Sequence, residues 1–123
     1  MPADAVRRAT LTLRLAEGSA ETREACFTSL TMRQTHEGGY PRPVSSCQID
    51  PKKVAGFWDE LHKIVAQRHA EECVLDGALW EVTWIDGDAK GQVGGVLPSD
   101  IPMGDLPDNR YEQLLALFEG LRR

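Results

Sequence analysis

Asp50-Pro51, followed by Val54, Phe57, Trp58, Leu61, Ile64 and Val65, constrains the fold of this chain more than any other feature. Aspartate is a favoured N-cap and proline a favoured first helical residue. The six apolar residues recur at intervals of three and four, so they line one side of an α-helix. The pattern predicts a helix from residue 51 to about residue 70. Gly56 weakens its first turn by up to about 1 kcal/mol relative to alanine, which a well-buried stripe absorbs. The stripe must be laid on something, and the segments on either side have the period of strands.

Residues 9–16 alternate strictly, Leu11, Leu13 and Leu15 against Thr10, Thr12 and Arg14, as a half-buried strand does. Residues 25–35, rich in threonine and β-formers, read as a second strand with Leu30 and Met32 as core contacts. Gly38-Gly39-Tyr40-Pro41-Arg42-Pro43 forces a loop, and Val44 to Ile49 reads as a third strand. Beyond the helix, Asp76-Gly77 and Asp86-Gly87 suit turns that need positive φ. They punctuate a meander of Cys73–Leu75, Ala78–Ile85 and Gln92–Leu97, with Trp80, Val82 and Trp84 on one face of the middle strand. Three prolines keep residues 98–108 irregular. A last helix is expected from Asp108 or Asn109, with Glu112 completing a capping box and Tyr111, Leu114, Leu115, Phe118 and Leu121 as its stripe. The expected fold is α+β. A mostly antiparallel sheet in the order β-β-β-α-β-β-β-α carries two helices on one face, the first packing Phe57, Trp58, Leu61 and Val65 against Trp80, Val82 and Trp84. A length of 123 residues, 41% of them hydrophobic, fits one domain over residues 1–123, with residues 1–8 as a flexible N-terminus.

Charge narrows the partners. Residues 1–70 hold ten basic and eight acidic groups, whereas residues 71–112 hold ten acidic groups against Lys90 and Arg110. A segment of net charge −8 repels nucleic acid and anionic membranes and suits a basic protein, although such surfaces also serve solubility alone. No stretch has the length of a membrane span or the layout of a signal peptide, so a cytoplasmic location is expected. Cys26, Cys47 and Cys73, an odd number at wide spacing, read as free buried thiols.

Motifs for chemistry are weak. Gly91-Gln92-Val93-Gly94-Gly95 lacks the Lys-Ser/Thr and following helix of a phosphate loop, and these glycines read as a bulge or a close backbone contact. His69 and Cys73 lie four apart but have no second pair to close a metal site. Cys47 with His36 or His62 would form a nucleophilic dyad only through tertiary placement. The expectation is no enzyme, no cofactor and no metal.

Recognition is the better-supported theme. The 36–43 loop presents Tyr40 and Arg42, residue types enriched at interface hot spots. Asp86 and Asp88 lie at a turn, and Asp100, Asp105 and Asp108 on a proline-stiffened loop that loses little entropy on docking. These seven are the candidate partner-binding residues. Leu75-Asp76-Gly77, then Trp80-Glu81-Val82, a Gly/Pro loop and a terminal leucine-rich helix, over residues 73–121, resemble several small bacterial immunity proteins. The resemblance implies a cytosolic domain that blocks a toxin delivered by a polymorphic-toxin or type VI secretion system, here a basic toxin domain occluded by the acidic segment. Two alternatives are carried alongside: a small enzyme or ligand-binding domain with a pocket near residues 36–47, and a homodimeric adaptor pairing through a strand edge.

Overall fold

The structure, a computed structural model, describes residues 7–15, 18–38, 44–67, 77–98 and 109–123. Strands β1 (Arg7–Arg14), β2 (Ala20–Cys26), β3 (Thr31–Glu37) and β4 (Ser45–Gln48) precede helix α1 (Val54–Val65). Strands β5 (Gly77–Asp86) and β6 (Ala89–Pro98) and helix α2 (Arg110–Glu119) follow. The six strands form one antiparallel sheet in the order β4-β3-β2-β1-β5-β6. Fold class and the start of each helix are as expected from the sequence, α1 ends at Val65 rather than near residue 70, and three further local expectations are corrected.

First, the single strand expected over residues 25–35 is two strands joined by a turn at residues 27–30. Leu30 sits in that turn at φ 55° and its carbonyl accepts from Ile49 N–H (2.8 Å). β2 escaped detection because its covered positions hold Glu21 and Arg23, with only Ala25 apolar. Arg23 is satisfied by a tertiary ion pair with Glu119, and Glu21 faces His36 across the strands. Second, Arg7 and Arg8 belong to β1 rather than to a flexible N-terminus. Third, the capping box of α2 does not form. Asn109 has φ −107° and ψ 20°, outside the extended region an N-cap side chain needs, and its Oδ1 accepts from Gln113 Nε2 (2.6 Å). The expected strand Cys73–Leu75 lies outside the described residues.

The start of α1 follows the sequence closely. Asp50 Oδ1 accepts from Lys52 N–H (3.0 Å), and Pro51–Lys53 form a 3₁₀ turn leading into the helix. Phe57, Trp58, Leu61 and Ile64 are buried, with Val65 partly so. The core gathers these with Ala9, Leu11, Ala25, Met32, Trp80, Val82, Tyr111, Leu114, Phe118 and Leu121. Trp84 meets α1 through His62 (6.1 Å between ring centroids), whereas Trp80 lies against Tyr111 of α2 (6.4 Å) and under the Arg110 guanidinium (5.2 Å). The aromatic strand face is thus divided between the helices.

The β5–β6 hairpin turns on Gly87-Asp88, with Gly87 at φ 65° in the first central position, where a II′ turn places glycine. Gly91 and Gly95 face Trp84 and Trp80, whose indoles occupy the space a side chain would fill. This is the close contact expected of those glycines.

Candidate functional site

Both helices cover the face of the sheet that holds Leu11 and Val82. The opposite face has no covering element among the described residues. Register places Arg8, Thr10, Thr12 and Arg14 of β1 there, beside Thr22 and Glu24 of β2 and Arg33, Thr35 and Glu37 of β3. Leu79, Glu81, Thr83 and Ile85 of β5 continue the same rows on the other side. Most of these side chains are short or charged, which is how an antiparallel sheet meets water. Leu79 is the exception, 57% exposed and paired with Val96 on β6. Ile85 (38%) marks a second apolar point on the same face.

A second constellation lies on the covered side, where β2 and β3 meet the C-terminal end of α2. Arg23 Nε donates to Glu119 Oε1 (2.9 Å), and Arg122 Nε lies 2.7 Å from the other carboxylate oxygen. Burial alone would raise the Glu119 carboxyl, but hydrogen bonds and charge from the two arginines outweigh it and hold the pKa below its usual value. Glu21 and His36 face each other across β2 and β3, with His36 Nδ1 3.8 Å from Glu21 Oε1 and no hydrogen bond made by that nitrogen. Tyr111 is buried nearby, and loss of solvent pushes its phenol above the ordinary value. A shallow recess open to solvent is lined by Arg23, Gln34, Ser45, Cys47, Glu119 and Arg122.

Tertiary placement does not bring Cys47 to His36. Cys47 pairs with Met32, four positions along β3 from His36, about 13 Å of strand. His62 stacks on Trp58 instead. Cys26 and Cys47 are free and only half-buried, which corrects the expectation of buried thiols. Cys26 lies on the uncovered face, and hydrogen bonds from Ser29 lower its thiol pKa. His69 and Cys73 lie outside the described residues. Among the described residues no three His, Cys, Asp or Glu side chains gather as for a metal, and no helix is long and apolar enough to cross a membrane.

Of the seven partner-binding candidates, Tyr40, Arg42, Asp100, Asp105 and Asp108 lie outside the described residues. Asp86 and Asp88 flank Gly87, but they do not act alike. Asp88 is exposed, whereas Asp86 Oδ1 is 2.8 Å from Arg7 Nε, so the basic half of the chain neutralises part of the acidic half. The uncovered face was not foreseen as a site. Its signal in the sequence is the run of polar residues at every second position of β1, interrupted on β5 by Leu79 and Ile85.

The arrangement defines an α+β domain whose sheet is covered by helices on one face and, among the described residues, open on the other. Comparison with protein-family models, with curated proteins and with solved structures gives no match for the chain.

Proposed function

We propose that this chain works by binding another protein without turnover or cofactor, as a cytoplasmic immunity-type inhibitor that occludes the active site of a basic toxin domain. The observation that carries the binding reading is the open sheet face, where Leu79 stands exposed beside the half-buried Val96 within a polar rim, the composition of a protein interface. The toxin reading rests on the immunity-protein resemblance and on the acidic segment that contains Asp88.

Affinity capture from the native host, with the wild-type chain and with Leu79→Asp, tests the binding reading. A protein held by the wild type and lost with the variant is expected. Equal capture by both would remove the open face from the reading. Expression of the captured protein alone then tests the narrower claim. It should arrest bacterial growth, and co-expression of this chain should restore it.

A second reading is a small-anion site in the recess beside Cys47, where a ligand would have to share Arg23 and Arg122 with the Glu119 carboxylate that already pairs with them. Thermal stabilisation by millimolar carboxylate or phosphate ligands, lost in Arg23→Ala, would favour it over protein binding.

A further inference from the structure

The two edges of the sheet are built differently. β4 is only four residues long, and the end of the chain occupies part of its margin. Ile49 bridges Arg122, and Gln48 O accepts from Arg123 N–H (3.1 Å). β6 is ten residues long, carries Lys90 as its single charge, and pairs with β5 from Gly77↔Pro98 to Asp86↔Ala89 without a bulge. Natural edge strands are usually short, charged or bulged, because an open ladder recruits other strands. β6 is protected only by Lys90 near one end and Pro98 at the other, and no described residue pairs with its outer side.

The hairpin fixes which groups point outward. In a two-residue hairpin the residues flanking the turn, here Asp86 and Ala89, exchange both hydrogen bonds, and alternate pairs follow suit. Ala89, Gly91, Val93, Gly95 and Leu97 therefore bond towards β5. Lys90, Gln92, Gly94 and Val96 offer their N–H and C=O groups to whatever lies beyond the edge.

We propose that the outer edge of β6 pairs antiparallel with β6 of a second copy of this chain, about a two-fold axis at Val93. In that register residues 89–97 pair in full and Pro98, which has no donor, is left outside. Val93 faces Val93 of the second copy, Gln92 faces Gly94, Lys90 faces Val96, and Gly91 faces Gly95. Each long side chain on the open face meets a small or apolar one, and no two like charges are opposed. About eight backbone hydrogen bonds form, two for each outward-bonding pair. A second copy is favoured over an unrelated strand because the axis makes the edge complementary to itself, and a two-fold pairing uses up both β6 edges, so the assembly closes at two. Pairing is edge to edge and leaves both open faces free. It does not depend on the proposed function.

Sedimentation velocity of the full chain over a concentration series reads the assembly directly, and a two-chain species is expected. Gln92→Pro removes an outward donor from each copy at a position where an edge tolerates proline, and should raise the dimer Kd about tenfold or more. Position 96 tests the register. Val96→Lys should weaken the dimer by opposing Lys90 of the second copy, and Val96→Glu should strengthen it. The Val96→Glu prediction stands even if proline disrupts the hairpin, which far-ultraviolet circular dichroism would reveal. A single-chain species at every concentration overturns the proposal. So does a dimer whose affinity ignores position 96 or responds in the opposite direction.

Discussion

Adding a methyl group at Gly91 or at Gly95 asks the same question of two different neighbourhoods. A Cβ at position 91 would overlap Trp84 Cζ2 outright, and one at position 95 would lie 2.7 Å from Trp80 Nε1 and 2.9 Å from the adjoining ring carbons. Contact distance alone ranks Gly91→Ala as the worse change. Freedom to yield ranks them the other way. Trp84 is half-buried and can tilt towards solvent, whereas Trp80 is 2% exposed and held between Tyr111 and Arg110. Overpacking in a core costs about 1–3 kcal/mol. Glycine-to-alanine replacement returns about 0.4–1 kcal/mol by restricting the unfolded chain. Gly95→Ala should therefore destabilise by about 1–2 kcal/mol, and Gly91→Ala should come out within about 0.5 kcal/mol of the wild type once its indole has moved. Urea unfolding followed by tryptophan fluorescence measures both, since Trp80 and Trp84 are two of the three tryptophans. The midpoints should shift without a change in m-value. A Gly95→Ala protein as stable as the wild type, or a Gly91→Ala protein the less stable of the two, would refute the claim that burial of the facing indole sets the cost.

Leu61 has no exposed surface, and Leu61→Ala should cost about 2–5 kcal/mol in the same unfolding measurement. Glu119 has a lowered pKa, so its ion pairs contribute stability above the ordinary carboxylate pKa of about 4.3 and lose it as pH falls through the lower folded-state value. Glu119→Gln should therefore flatten the stability profile on the acid side, as read from unfolding midpoints between about pH 3 and pH 6. Cys26, with its lowered pKa, should react with iodoacetamide at neutral pH faster than Cys47, as mass spectrometry of the alkylated peptides would show. Asp88→Lys should slow association with a basic partner at low salt and less so at high salt, while Arg14→Glu on the first strand should not slow it.

Where one physical rule acted alone, the sequence was legible. The helical stripe of α1, the alternation of Leu11 and Leu13 in β1 and the Trp80/Val82/Trp84 face all reflect burial of apolar side chains at a fixed period, although β1 ends at Arg14 and leaves Leu15 exposed. β2 was missed because burial there is achieved by charge pairing. Arg23 and Glu21 occupy covered positions, and their partners Glu119 and His36 are 96 and 15 residues away in the chain. No local window contains that information. The 27–30 turn was hidden because Leu30 adopts positive φ without being glycine or asparagine. The candidate surfaces divide in the same way. A turn carrying Asp86 and Asp88 was readable from Asp-Gly, but the bond from Arg7 to Asp86 spans 79 residues and appears only in the folded chain.

Two of the three charges of α2 run against its own dipole, while Glu112 in the first turn runs with it. Arg110 opens the helix and Glu119 closes it, the reverse of the order that stabilises a helix in isolation. Each is held by a tertiary partner. Arg110 lies over the Trp80 ring, and Glu119 takes Arg23 and Arg122. Gln113, between them, bonds Gln67 just beyond α1 (3.0 Å). Polar residues in α2 are thus chosen for where the helix docks, and each of its ends is held by a different strand. The lower end matters most for the shape of the whole. By holding Glu119, Arg23 fixes the last turn so that Leu121 is buried and Arg122 and Arg123 reach Ile49 and Gln48. An ion pair on the covered face therefore helps to place residues 122 and 123 against the Gln48 end of β4. The cost of placing a guanidinium under a helix is offset by directing the chain end against that strand, which leaves β6 as the long open edge of the described sheet.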